Sequence, residues 1–186
     1  MKLPQALLLA CAVMINTSAC ATKLPPIDPV AHVDLHRYMG SWYVIAAIPT
    51  RFEKDAYDAV ETYTLKPNGE VATLFHFRKG SFDGKLKEFR TTGIVKPGTD
   101  NAVWGVRVFW PLKAQYVVAY LKDDYSQVIV ARDARDYVWV MARTPTISEA
   151  DYAALLGKVK ALGYPMDKIR KVPQRPRGTD LGTGAR

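Results

Sequence analysis

The sequence predicts an all-β fold of eight antiparallel strands of similar length, an up-and-down barrel or a sandwich, followed by one C-terminal α-helix packed outside it. Three observations lead there. Segments that alternate apolar and polar residues, rich in β-branched and aromatic side chains, recur from residue 40 to residue 143. Short turns containing Pro, Gly, Asn or Asp separate most of them. No helix interrupts the series, which argues against a parallel sheet with crossover helices.

The elements follow in order. Leu35 and Met39 stand four apart, so Asp34 to Met39 reads as a short helical turn. Gly40 allows a close backbone approach just before the first strand. Trp42 then takes the first inward position, Tyr43, Val44, Ile45 and Ile48 favour the strand, and Pro49 ends it. Pro49 to Tyr57 is a loop longer than a hairpin needs, the kind that often carries function. The second strand is Ala59 to Leu65, and Asn68-Gly69 at the tip of a hairpin turn leads to the third, Val71 to Arg78. Lys85 to Lys96 is the fourth, broken by Pro97-Gly98. Ala102 to Trp110, Ala114 to Leu121, Gln127 to Arg132 and Tyr137 to Arg143 complete the eight. Ser148 then caps a helix whose apolar stripe is Tyr152, Leu155, Leu156, Val159 and Leu162. Gly163 ends the helix and Pro165 stops it. Lys168 to Val172 adds a short ninth strand.

The ends have a different character. Met1-Lys2 gives a positive start, and Leu7 to Ile15 is an apolar run too short to span a bilayer. Thr17-Ser18-Ala19-Cys20 resembles the lipobox of bacterial lipoproteins, in which the cysteine is lipidated. The chain therefore divides into a lipoprotein-type signal peptide (1–19), a proline-containing tether (20–34), the barrel and helix (35–172), and a Pro-, Gly- and Arg-rich disordered tail (173–186). Both cysteines, Cys11 and Cys20, lie in the leader, so the domain has no disulfide, no thiol nucleophile and no thiolate metal site.

The net charge of +8 favours anionic surfaces, but both signs are interspersed and read as a mixed solvated surface. Nucleic-acid binding is set aside, because the aromatics follow the inward phase instead of forming an exposed stacking platform. His32 and His36 have helical metal spacing but lie among prolines with no third ligand, so no metal is expected. No Gly-x-Ser-x-Gly elbow is present, and no catalytic residue or cofactor can be named.

Three segments carry a family resemblance. Gly40-Ser41-Trp42 opens the first strand, Tyr116 to Tyr125 spans the sixth strand and its turn, and Val138 to Pro145 carries Arg143 at the end of the eighth. Over residues 35–172 the chain resembles the lipocalin family, and with its leader it looks like a bacterial outer-membrane lipocalin. Lys122 stands where the family more often has Asp. The resemblance implies a closed barrel whose floor is sealed by Arg143 lying over Trp42, a good cation–π pair, with Gly40 beside them. It also implies binding of a fatty acid or lysophospholipid, a lipid anchor at Cys20, and a place on the outer membrane facing the periplasm. A homodimer is allowed. The alternatives are a lipid-modifying or isomerising enzyme on the same scaffold, and a structural envelope lipoprotein with a filled barrel.

The family pattern also sets the strand phase. The ligand-lining residues it implies are Glu61, Phe75, Phe77, Phe89, Val106, Val108, Trp110, Tyr116, Val118, Trp139 and Met141, with Tyr63, Trp104, Tyr120 and Tyr137 also inward. Trp42, Leu65 and Arg143 belong at the closed end, and Phe77, Phe89, Trp110, Tyr116 and Trp139 nearer the mouth. An aromatic interior suits an acyl chain. Glu61 is the odd member: either it meets a headgroup or waters, or the phase leaves it outside. Arg51, Lys54 and Lys113 sit on mouth-side loops, as headgroup contacts or as plain surface.

Overall fold

A computed structural model describes residues 24–109 and 112–176, with side chains for all of these except residues 108, 109, 112 and 113. Eight strands form the barrel: β1 (Gly40–Ile48), β2 (Ala56–Leu65), β3 (Val71–Lys79), β4 (Leu86–Val95), β5 (Val103–Phe109), β6 (Leu112–Leu121), β7 (Gln127–Ala131) and β8 (Val138–Ala142). Each pairs antiparallel with the next, and β8 returns to β1. The ring closes where Gly40 to Tyr43 pair with Tyr63 to Val60. A one-turn helix α1 (Leu35–Tyr38) precedes the barrel, capped by Asp34. The helix α2 (Glu149–Ala161) follows, with Ser148 Oγ accepting from the Asp151 amide at 3.0 Å.

Two apolar clusters share the barrel wall. Inside are Trp42, Val44, Ala47, Tyr63, Val71, Phe75, Phe77, Trp104, Tyr116, Val118, Val128, Val130 and Met141. Outside, Leu155 and Val159 of α2 cover Ala46, Ile48, Val117, Ile129, Ala131, Val138 and Val140. This is why β1, β7 and β8 are apolar on both faces, whereas β4 carries polar or charged residues on both.

β-bulges reset the alternation. The register shifts between Val44 and Ala46, so Ala47 points in while Ala46 and Ile48 face α2. A second shift falls between Val118 and Tyr120. Tyr120 therefore points outward, against the phase expected for it, and Lys158 Nζ lies 4.5 Å from its ring centroid.

The ends of the domain also depart from expectation. Of the proposed tether, residues 24–34 run against the barrel. Ile27 and Val33 are buried, the Val30 amide donates to the Val118 carbonyl, and the Val33 amide to the Asp100 carbonyl. Proline content signalled a lack of helix and strand, but not a lack of contacts. Of the proposed tail, residues 173–176 are fixed. β9 (Arg170–Lys171) pairs with Ala46 and Ala47 on the upper half of β1, which β2 leaves unpaired. The Gln174 side-chain amide then donates to the carbonyls of Val44 (2.8 Å) and Ala59 (2.9 Å), spanning the gap between β1 and β2. Asp58 receives Arg175 at both its backbone amide and its guanidinium, each at 2.8 Å. The signal peptide, Cys20 and residues 177–186 lie outside the described residues.

Candidate functional site

The interior has two halves. The lower half is filled by five aromatic side chains: Tyr38, Trp42, Tyr63, Trp104 and Tyr116. Trp104 stacks on Tyr116 at 4.7 Å, and Tyr38 sits 5.2–5.6 Å from Trp42, Trp104 and Tyr63. Gly93 makes room for this, because a Cβ there would lie 3.0 Å from the Trp104 ring. Below the stack, Arg143 Cζ lies 3.8 Å from the centroid of Trp42. Its guanidinium donates to the carbonyls of Ser41 (3.0 Å), Arg37 (2.7 Å) and Tyr38 (3.0 Å), tying α1 to the barrel as a plug. Gly40 holds φ +90, and a Cβ there would meet Arg143 Nη1 at 3.4 Å. The Trp42 indole N–H donates to the Tyr38 carbonyl at 2.9 Å.

The upper half is lined differently. Phe75, Phe77 and Phe89 form a fan with ring centroids 5.4–6.4 Å apart. Val106, Trp139 and Met141 face them, and Val106 and Trp139 keep accessible surface although they point inward. Phe89, 41% exposed, reaches the mouth, where it meets Phe52 of the β1–β2 loop, 59% exposed. Among the described residues, the Phe89 end of the barrel keeps accessible surface, whereas Arg143 and α1 seal the other end.

The expected lining residues divide between these halves. Phe89, Val106 and Trp139 keep accessible surface in the upper half, while Phe75, Phe77 and Met141 there are buried. Tyr116 does not sit near the mouth but belongs to the buried lower stack, because β6 carries it down into contact with Trp104 and Tyr63. Val118, fully buried lower on the same strand, is a core residue. Trp110 and the side chain of Val108 lie outside the described residues. Among the described residues no group of three or more His, Cys, Asp or Glu side chains could hold a metal.

Glu61 faces inward, at the boundary between the halves. Its neighbours across the strands are Trp42 and Phe75. It ends a chain of hydroxyls: Tyr38 and Tyr116 are 2.7 Å apart, Tyr116 donates to Tyr63 at 2.9 Å, and Tyr63 donates to Glu61 Oε2. Burial pushes the Glu61 carboxyl up to about 7; the Tyr63 hydrogen bond pulls against this, and the nearby Glu53 carboxylate adds to it. Burial likewise raises all three phenols, so they stay protonated. Glu53 descends from the β1–β2 loop and is itself raised by burial, against hydrogen bonds from Thr50 and Trp139.

Three residues here escaped the sequence reading. Glu53 lies in a loop with no periodicity to place it. Gln174 lies in a segment whose composition reads as tail. Lys87 was legible: it stands two residues before Phe89 and opposite Phe77, and so on the inward face at the mouth.

The comparisons agree with this architecture. A family model described as a lipocalin-like domain matches residues 33–174. Temperature-induced lipocalin-1 of Arabidopsis thaliana is 30% identical over 165 residues, covering 82% of this chain and 86% of that protein. The outer membrane lipoprotein Blc of Citrobacter freundii is 30% identical over 160 residues, covering 84% and 89%. Among solved structures, insecticyanin from the tobacco hornworm Manduca sexta superposes with a TM-score of 0.60 at 14% identity, covering 80% of this chain and 84% of that one. A closed eight-stranded antiparallel barrel with one outer helix, floored by Arg143 over Trp42, together with a family match across 33–174, makes this chain a member of the lipocalin-like family.

Proposed function

We propose that the protein binds a long-chain fatty acid or lysophospholipid, with the acyl chain in the upper half of the barrel and the polar head at the mouth. One observation carries the reading: inward apolar and aromatic side chains that keep accessible surface stand above a floor already filled by five aromatics. Each methylene transferred from water to such a lining contributes about 0.8 kcal/mol. Val108 and Trp110 would extend that lining. Lys87, with Arg51 and Lys54 on the β1–β2 loop, offers positive charge to an anionic head. Binding, not catalysis, is the role this interior supports.

The cellular setting belongs to the same reading. Cys20 carries a lipid anchor that holds the barrel on the outer membrane, facing the periplasm. Support comes from the lipobox-like Thr17 to Cys20 and from relatives named as outer membrane lipoproteins. Replacing Cys20 with Ala should move the protein into the soluble periplasmic fraction.

Titration with fatty acids of increasing length, read by tryptophan fluorescence, tests the binding itself. Affinity should rise with chain length and then stop where the floor begins. Affinity that is flat with length, or no binding at any length, overturns the reading.

A further inference from the structure

An apolar cavity meant only for a hydrocarbon tail has no use for a carboxyl at its base. Glu61 is there nonetheless, at the top of the aromatic floor, with part of its surface accessible inside the barrel. The hydroxyl chain beneath it has one direction. Tyr63 gives its only proton to Glu61, Tyr116 gives its proton to Tyr63, and Tyr38 is left to donate to Tyr116. The floor therefore sends no donor of its own beyond Glu61, and what it presents upward is an acceptor. Above lie Phe75, Phe77, Phe89 and Met141, and on the inward face at the mouth lies Lys87. Going down the barrel, the lining is cationic at Lys87, then apolar apart from the partly buried Glu53, then hydrogen-bond accepting at Glu61.

We propose that the preferred ligand is polar at both ends: an acyl chain with an anionic head beside Lys87 and a hydroxyl at its far end, which Glu61 receives. This rests on the reading that the upper half binds an acyl chain, and it makes Glu61 the specificity-determining residue. A bare methyl end seated against Glu61 would strand the carboxylate and so requires a proton on it. A terminal hydroxyl donates to the carboxylate and requires none. The groups that face Glu61 do not replace that role. Glu53 from the β1–β2 loop has the same sign of charge, and Tyr63 is already donating. Tyr116 and Tyr38 act through Tyr63, Arg143 lies below Trp42, and Lys87 stands up at the mouth. β7 and β8 bring only Val128, Val130, Trp139 and Met141.

The test compares saturated fatty acids with their ω-hydroxy counterparts, at matched lengths from eight to fourteen carbons, on the purified protein. At the best length the ω-hydroxy acid should bind at least as tightly as the plain acid, whereas an apolar floor would weaken it by about tenfold or more. Raising the pH from about 5.5 to about 8.5 should weaken the plain acid far more than the hydroxy acid, because only the former needs Glu61 protonated. Glu61→Leu should reverse the order in favour of the plain acid. Glu61→Gln keeps an acceptor without a titrating proton, so it should keep the hydroxyl preference and flatten the pH dependence; it also serves if the Leu variant does not fold. A hydroxy acid that binds more weakly at every length, or a preference that survives Glu61→Leu, overturns the proposal while leaving acyl-chain binding intact. Failure of both ligand series removes the binding reading and this proposal together.

Discussion

The two halves of the barrel interior are both rich in aromatic side chains and have opposite physical roles. The lower rings come from α1, β1, β2, β5 and β6, and the upper ones from β3, β4 and β8. In the lower half every ring has a ring neighbour, the buried hydroxyls and indole N–H groups are paired, and Arg143 and α1 seal the end. In the upper half the rings fan out, Phe89 and Trp139 keep accessible surface, and no element covers the end among the described residues. Aromatic content alone therefore does not mark a ligand site. Whether the rings fill the space between them does, because a packed interior has no room to exchange for a ligand.

Substitutions should separate the halves by what they change. Trp42→Ala has the largest expected effect, a loss of about 3–5 kcal/mol in denaturant unfolding, because a fully buried indole leaves a cavity. A double-mutant cycle with Arg143→Ala should show coupling of about 1–2 kcal/mol, the range of a desolvated cation–π pair. Zero coupling would mean that Arg143 seals the floor through its carbonyl contacts alone.

Glu61, on the boundary, should respond to pH. Its carboxyl has an ordinary value of 4.5 and stands at about 7 in the folded protein. The folded state thus holds a proton that the unfolded chain releases, so stability is full below 4.5 and falls as pH rises toward 7. Glu61→Gln should be more stable than the parent by about 3 kcal/mol above this window, with the difference vanishing below it. Thermal melts at several pH values decide this, and a pH-independent difference would place the carboxyl in water.

Gln174→Ala tests the seam beside the upper half. Two hydrogen bonds to the carbonyls of Val44 and Ala59 are lost, at a cost of about 1–2 kcal/mol. Hydrogen exchange should quicken at the β1–β2 gap and stay unchanged at the floor. The smallest effect on stability should come from Phe89→Ser at the mouth, under about 1 kcal/mol because the ring is already 41% exposed. The same change should weaken acyl-chain binding measurably. If it costs as much stability as a lower-half substitution, the distinction between the halves fails.

The strand order, the outer helix and the floor pair could be read from sequence because each rests on local periodicity or a short motif. Gly40-Ser41-Trp42 and Arg143 mark the two strands that meet at the floor, and the stripe from Tyr152 to Leu162 marks the helix face. What sequence could not supply was height and closure. Tyr116 and Trp139 have the same inward phase, but only the stagger of the strands puts one in the packed stack and leaves the other with accessible surface. The bulge after Val118 turns Tyr120 outward without any glycine or proline to announce it. Residues 27–33 and 173–176 look like linkers because composition reports only the contacts a segment can make with itself, and both draw their order from the barrel wall. Alternation along a strand is a local property fixed by backbone geometry. Depth in a barrel depends on how all eight strands are staggered around the ring, and that is decided only when the ring closes.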